Sequence, residues 1–521
     1  MSSEDPTLLW HYVDYWAARN PQGDALVFGQ TRLTWAQFRE RVNRTAEAFL
    51  ELGVEPGDRI AIVSTPRPEF LITFMAASKI RAIWLGISPK LSLDELRYVA
   101  GNAQPSLLIT VNAYAGVDLI GRALTLQQEF PSIAEVLVIG ESPEDVPEFH
   151  AFTTHARSGW GDLLAQRAAE SSDEDEALLM YTSGATGKPK GVLHTHQTVM
   201  LNAAIEAEHF RLDATSRFLL HFPINHVAAD VEIGYASVLA GAAIIFMEHF
   251  EADASLDLIT REAITILGQV PTMYIMQIQS PRFAQMDWRN IRTFVWGGAG
   301  APAPVLDALR DIARRTGARI VTGYGSTELC GFVTFATSHD GQDRLAGSVG
   351  KSVPPYELRI VGPDRQTLPN GQIGELAFRG PVVMKGYLNA PGLTAEVIDD
   401  DGWYYTRDLG SMDDDGFIYL SGRSSEMYKS GGENVFPREI EDVLNTHPAV
   451  LYAAVLGVPD PVFGEVGHAF IMFKQGQSAE PEALHDFCLE HLANFKVPKH
   501  FSIRTQLPLL PSGKVNKSLL R

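Results

Sequence analysis

The sequence predicts an α/β protein: a large amino-terminal domain of parallel sheets covered by helices, carrying a small β-rich subdomain, followed by an α+β domain. Three observations carry this. Short apolar runs alternate with amphipathic helical segments over the first two thirds of the chain. From about Leu345 the pattern changes to short strands broken by Gly, Pro and Asp. After Arg423 a compact mixture of strands and helices follows, which puts a boundary at 422–425 and domains at 1–422 and 423–521. A chain of 521 residues has room for about three packing units. Its 45% hydrophobic and 20% charged residues are those of a folded protein.

The elements follow in order. Thr34 and Gln37 form a capping box, and Trp35, Phe38, Val42, Ala46 and Phe49 recur at helical spacing until Gly53. RIAIV (59–63) reads as a strand, a helix follows from Glu69 to Lys79, and IWLGI (83–87) is the next strand. Ser92 and Glu95 repeat the capping box before SLLIT (106–110). VLVIG (136–140), FLLHF (218–222), AIIFM (243–247), TILGQV (265–270), TFVWGG (293–298) and RIVTGYG (319–325) continue the pattern of a helix-covered parallel sheet. Residues 167–176, ending in SSDEDE, read as an exposed linker. GELAFRG (374–380) and DDDGFIYLSGR (413–423) suggest hairpins, with Asp399 to Asp401 and Asp413 to Asp415 as turn formers. A helix near Arg438 to Asn445, strands at 453–458 and 468–474, and a helix around Ala483 to Asn494 complete the chain.

The net charge of −20 disfavours nucleic acid and anionic membranes as partners. The longest nearly apolar stretch, Ala236 to Met247, is too short to span a bilayer, and MSSEDPTLLW lacks the features of a secretory signal, so a cytoplasmic location is expected. Cys330 and Cys488, lacking metal-ligand spacing, read as buried small hydrophobes. Between Lys496 and Arg521 lie six basic residues and no acid, a surface suited to a polyanionic ligand.

The strongest chemical signal is ALLMYTSGATGKPKGVLHTH (177–196): an apolar strand, then Thr182, Ser183, Gly184, Thr186, Gly187, Lys188 and Lys190, then a helix. Small residues let the backbone approach phosphate, hydroxyls donate hydrogen bonds and lysines supply charge. It is not a Walker A loop, because Gly184 and Gly187 are too close and Pro189 follows Lys188.

This loop resembles the phosphate loop of adenylate-forming enzymes, the superfamily of acyl-CoA synthetases, peptide-synthetase adenylation domains and beetle luciferases. Four further segments match in family order: TGYGSTE (322–328), YYTRDLG (404–410), GRSSEMYKSGGENVFPREIE (422–441) and LPSGKVNK (510–517). The resemblance implies that Tyr324 and Gly325 meet adenine, Thr327 meets phosphate, Glu328 holds Mg²⁺ and Asp408 holds ribose. Arg407 stands immediately before Asp408, where the family usually has Gly. WGGAGAP (296–302) resembles the segment packed on adenine and the acyl group, with Gly298, Ala299 and Gly300 approaching by backbone. FPINHVAAD (222–230) resembles the acyl-pocket segment, with His226 near the reacting carboxylate. Arg423 and Ser425 stand at the family's hinge, with Ser425 in place of the usual Asp or Lys. Lys429, Gly431 and Gly432 match the coenzyme A loop, and Lys514 the catalytic lysine on a mobile carboxy-terminal lid.

The resemblance therefore implies a carboxylic acid:CoA ligase that uses ATP, Mg²⁺ and coenzyme A, proceeds through an acyl-adenylate and pivots its lid at 422–425 between steps. Its partners are small molecules, and a homodimer stays open. An amino-acid adenylation enzyme is opposed by Val227 at that group's aspartate position and by only seven residues after Lys514. A luciferase-like monooxygenase shares the nucleotide motifs, while a non-catalytic nucleotide-binding scaffold would be expected to lack Lys514 and Glu328. Segments 218–260, 296–305 and 322–338 contain no Lys or Arg, so the expected substrate is an apolar monocarboxylic acid, whether fatty, aryl or alicyclic.

Overall fold

The computed structural model describes residues 6–155, 159–182, 188–423, 426–510 and 513–520. Both predicted capping boxes form: Thr34 accepts from the Gln37 backbone at the start of the helix Trp35–Glu51, and Ser92 accepts from Glu95 at the start of Leu93–Ala103. The helical stripe Trp35, Phe38, Val42, Ala46 and Phe49 is fully buried, each larger side chain stabilising the fold by roughly 1.5–3 kcal/mol. No helix among the described residues is long and apolar enough to cross a membrane.

Two large sheets form the amino-terminal domain. In one, Arg59–Val63, Ile83–Ile87, Leu107–Val111 and Glu135–Ile139 are parallel and are joined by Glu176–Thr182. In the other, Arg217–Leu220, Ala243–Phe246, Ile266–Gln269, Thr293–Trp296 and Arg319–Ser326 run parallel before Gly331–Thr337 turns back antiparallel. Their burial on both faces explains why they read as continuous apolar runs. A separate antiparallel sheet contains Glu357–Val361, Gly374–Arg379, Tyr404–Met412 and Ile418–Arg423. Beyond it, Val450–Asp460 and Gly464–Phe473 form a long hairpin against the helix Pro437–Thr446.

The aspartate runs do turn chemistry. Asp399 Oδ1 accepts from the backbone of Asp401 and Trp403, and Asp413 Oδ1 accepts in the same way from Asp415 and Phe417. Cys330 and Cys488 are free and buried.

Three expectations are corrected. The strand Glu176–Thr182 is followed by an antiparallel strand, Lys190–Thr195, and the helix starts only at His196, where Thr195 caps it. Residues 191–195 are all buried and pair with Glu176–Thr182, and this packing holds the segment extended. Residues 167–176 are also more ordered than a linker: the helix Gly161–Ala169 covers their start, and Asp175 is locked by Arg81 at 2.9 Å. In the basic tail, Lys496 and Lys517 are spent on Glu439 and Glu441, at 2.6 and 2.8 Å.

Candidate active site

The chemistry-bearing segments gather where strands of the large sheets end. Arg319–Ser326 carries Tyr324 and Gly325 at its carboxyl end, the part of an α/β sheet at which ligands bind. The pairing with the next strand shifts register here, and a Cβ on Gly325 would run into the Gly331 carbonyl, so only glycine fits. The Tyr324 ring stacks on Phe378, with centroids 5.8 Å apart. Its hydroxyl donates to Asp408 Oδ2 at 2.6 Å, and Arg423 Nε donates to Asp408 Oδ1 at 3.0 Å. Asp408 is thus a fixed, buried anion whose oxygens each retain a lone pair for a further donor.

Thr327 and Glu328 occupy the short turn Thr327–Leu329. A ring nitrogen of His194 donates to the Thr327 carbonyl at 2.7 Å, and Met384 N donates to the Glu328 carbonyl at 2.8 Å. The Glu328 side chain is aimed by the Tyr387 hydroxyl, which donates to Oε1 at 3.0 Å. Lys190 Nζ lies 4.8 Å from the centre of the same Tyr387 ring, so the second phosphate-loop lysine and Glu328 share one support. Lys188 Nζ sits 5.8 Å over Tyr98. Thr182 ends its strand, whereas Ser183, Gly184, Thr186 and Gly187 lie outside the described residues, as does Ser425.

Lys514 reaches this group from the far end of the sequence. Its side chain lies over Gly298, with Nζ 3.1 Å from where a Cβ would stand, and Gly298 has φ +78°. Thr272 Oγ1 donates to the Gly513 carbonyl, and a Cβ on Gly300 would meet Arg438 and Asp442 of the helix Pro437–Thr446. The 297–300 loop, including Ala299, is therefore the floor on which the carboxy-terminal segment rests. Burial and then Arg423 hold the Lys514 ammonium below its usual range, opposed by Glu232 and Asp408. Burial, reinforced by Lys514, pushes His226 down to about 3. His226 Nδ1 accepts from Ala228 N at 3.1 Å, so this neutral ring carries its proton on Nε2.

Lys429, Gly431 and Gly432 lie apart from this group. Their hairpin pairs within the carboxy-terminal domain, where Gly431 N donates to the Phe463 carbonyl at 2.9 Å. Gly431 and Gly432 have φ of +59° and +90°, and open space surrounds the missing Cβ of Gly432.

Comparison with known proteins decides the family. Residues 13–388 match the AMP-binding enzyme family, and residues 439–514 match the C-terminal domain of AMP-binding enzymes. The chain belongs to the AMP-binding enzymes. It is 32% identical over 490 residues to the long-chain-fatty-acid–CoA ligase FadD13 of Mycobacterium tuberculosis, covering 94% of this chain and 93% of that one. To a feruloyl-CoA synthase of Amycolatopsis it is 33% identical over 511 residues, covering 97% and 96%. The crystal structure of the anthranilate CoA ligase AuaEII in complex with anthranoyl-AMP superposes with a TM-score of 0.88 at 26% identity, covering 100% of this chain and 98% of that one. These relatives place this AMP-binding enzyme among the adenylate-forming acyl-CoA synthetases, as an AMP-forming acid–CoA ligase.

Sequence reasoning missed several residues around the site. His194, Tyr387 and Phe378 have no local signature, since each acts through a partner at least 54 positions away. Acids were missed as well. Asp230, buried, and Glu232, half-buried, lie on the π-helix Ala228–Tyr235, which begins two residues after His226, and buried Glu206 lies on the helix His196–Phe210. One signal pointed to Glu206: Thr198, Asn202 and Glu206 are four apart, a polar stripe on the buried face of a helix. Wide π turns recur at functional sites.

Proposed function

We propose that this AMP-binding enzyme activates a monocarboxylic acid with ATP and passes the acyl group to coenzyme A. In the first step a carboxylate oxygen bonds to the α-phosphorus as the bond to pyrophosphate breaks. In the second the coenzyme A thiolate bonds to the acyl carbon as AMP leaves. The observation that supports this reading best is the seat of Lys514: one ammonium over Gly298, within Coulombic reach of Asp408 and Glu232. A cation held there neutralises charge where carboxylate and α-phosphate meet, and no protein nucleophile is needed.

The remaining roles follow from position. Asp408 takes the ribose hydroxyls and the Tyr324 ring takes adenine, with the backbone of Gly298, Ala299, Gly300 and Gly325 close by. Thr182, Ser183, Gly184, Thr186, Gly187, Lys188 and Lys190 cradle the outer phosphates, and Thr327 meets the α-phosphate. His226 Nε2–H donates to the acyl carboxylate. A Mg²⁺ ion fits Glu328: a hard carboxylate oxygen aimed by Tyr387 suits it, and phosphate and water complete its usual oxygen shell. Such an ion supplies charge neutralisation of the polyphosphate when bound. Residues 1–422 and 423–521 act as two bodies that turn about Arg423, bringing Lys429, Gly431 and Gly432 to the pantetheine arm in the second step. The test is pyrophosphate release from a panel of fatty, aryl and alicyclic acids, with and without coenzyme A. Acyl-CoA formation is expected with monocarboxylic acids, and an absolute requirement for a carrier protein or oxygen would refute the proposal.

A further inference from the structure

A closed group of hydrogen-bond acceptors lies beside the Lys514 site, and the two-step reaction gives it no task. Glu206, Asp230 and Asn202 are fully buried. Glu206 Oε1 accepts from Phe332 N at 2.8 Å, which leaves Oε2 without a partner among the described residues. The Asn202 amide nitrogen is engaged by the carbonyls of Leu329 and Phe332, while its Oδ1 has no donor. Both oxygens of Asp230 are likewise unpartnered among the described residues. Gly331 makes room for them, since a Cβ there would meet Glu206 Oε1 and, at 2.8 Å, Asn202 Oδ1.

The group adjoins the site: the Phe332 ring fills the space beside Gly297, and the Phe332 backbone bonds Glu206 and Asn202. Glu232 and Asp230 also share the π-helix that begins just after His226. Burial holds Glu206 and Asp230 well above the usual carboxyl range, a direction that favours their neutral forms. Even then each neutral acid offers one donor and several lone pairs, and Asn202 Oδ1 offers lone pairs only. The balance is a surplus of acceptors, and buried acceptors without donors are costly.

We infer that the acid this enzyme activates carries a hydrogen-bond donor, a hydroxyl or an N–H, on its acyl body, and that Asp230, Glu206 and Asn202 Oδ1 receive it. The inference rests on the ligase reading and sharpens it: the acyl site is acceptor-lined and not purely apolar. A site built to bond a substrate hydroxyl or N–H rejects the analogue that lacks it far more strongly than an apolar pocket rejects an extra methylene.

Matched acids test this through AMP release by the full-length enzyme: phenylpropanoate with its para-hydroxy and para-amino forms, and hexanoate with its omega-hydroxy and omega-amino forms. In at least one series the donor-bearing acid should exceed its parent at least about 10²-fold in kcat/KM. The omega-amino arm separates a buried ammonium from a neutral donor. Asp230→Asn, which keeps the shape, should reduce that preference at least about tenfold. Asp230→Leu should abolish it while raising Tm, because it removes an unpartnered buried carboxyl. AMP release without preference for donors in either series would overturn the inference and leave the ligase reading intact. Equal loss of both members of a pair with a fall in Tm in Asp230→Leu would also overturn it, by showing a structural role. No AMP release with any acid would overturn both readings.

Discussion

Replacing Lys514 with alanine tests how the two half-reactions are divided. In the structure its side chain lies over Gly298, within Coulombic reach of Arg423, Asp408, Glu232 and His226, with Gly513 held by Thr272. Removing one preorganised charge from such a site costs about 10²- to 10³-fold in rate, or roughly 2.7–4 kcal/mol of transition-state stabilisation. The loss should fall on pyrophosphate release. Burial lifts Glu232 to about 7 and Lys514 opposes that rise, so in the variant Glu232 should rise further and shed part of its own negative charge near neutrality. The assay is a single-turnover comparison of pyrophosphate release from acid and ATP with acyl-CoA formation from pre-formed acyl-adenylate. Parental speed in the second is expected, because the proposal gives that step to the Gly431 and Gly432 loop. A comparable defect in both would refute the division of labour and make Lys514 a structural residue or one that serves both steps.

Three further outcomes are expected. Gly432→Leu should block thioester formation and spare adenylation in the same pair of assays; its φ of +90° adds about 1–2 kcal/mol of local strain, which thermal unfolding would register. Malonate and succinate should lose orders of magnitude in kcat/KM against monocarboxylates of similar length, since a second carboxylate would be buried beside Glu206 and Asp230 without a cation to pair with. His221 is buried against Phe222 and Phe250 with neither ring nitrogen partnered among the described residues, and burial holds it at about 3. The unfolded chain, at about 6.5, therefore binds the extra proton first, so stability is complete above that pH and falls as the pH drops toward 3. At pH 5 the loss is about 2 kcal/mol, and His221→Phe should remove that share of the acid slope in denaturant titrations at pH 7 and 5.

The strands of the two large sheets were legible because they are buried on both faces, which leaves continuous apolar runs such as Arg59–Val63 and Thr293–Trp296. The nucleotide segments were legible because their glycines and lysines stand at fixed spacing. The hairpin after Thr182 was not, because a short strand of 190–195 carries no stronger local signal than the first turns of a helix. The buried acids were barely legible, for another reason. A carboxylate in a sequence reads as solvated, and only the backbone of Phe332, 126 residues from Glu206, shows otherwise. Local pattern reports which residues pack; it does not report which polar residues packing encloses.

Arg407 shows how a departure from family pattern and a fold requirement meet at one residue. The strand Tyr404–Met412 must present Asp408 to both Tyr324 and Arg423, and the chain enters that residue in the left-handed region, with Arg407 at φ +63°. Glycine takes this conformation freely, which is the physical reason for its usual place there; an L side chain costs about 1–2 kcal/mol. The chain offsets that cost locally. Arg407 N donates to Glu375 Oε1 at 2.6 Å, its guanidinium pairs with Glu396, and Asp408 N donates to Thr406 Oγ1 at 3.1 Å. A hydrogen bond to a charged acceptor contributes about 1.5–3 kcal/mol, enough to hold the strained turn. The aim of Asp408 is thus set by Glu375 on the neighbouring strand, not by a glycine, and the carboxylate stays where a ribose-binding role needs it.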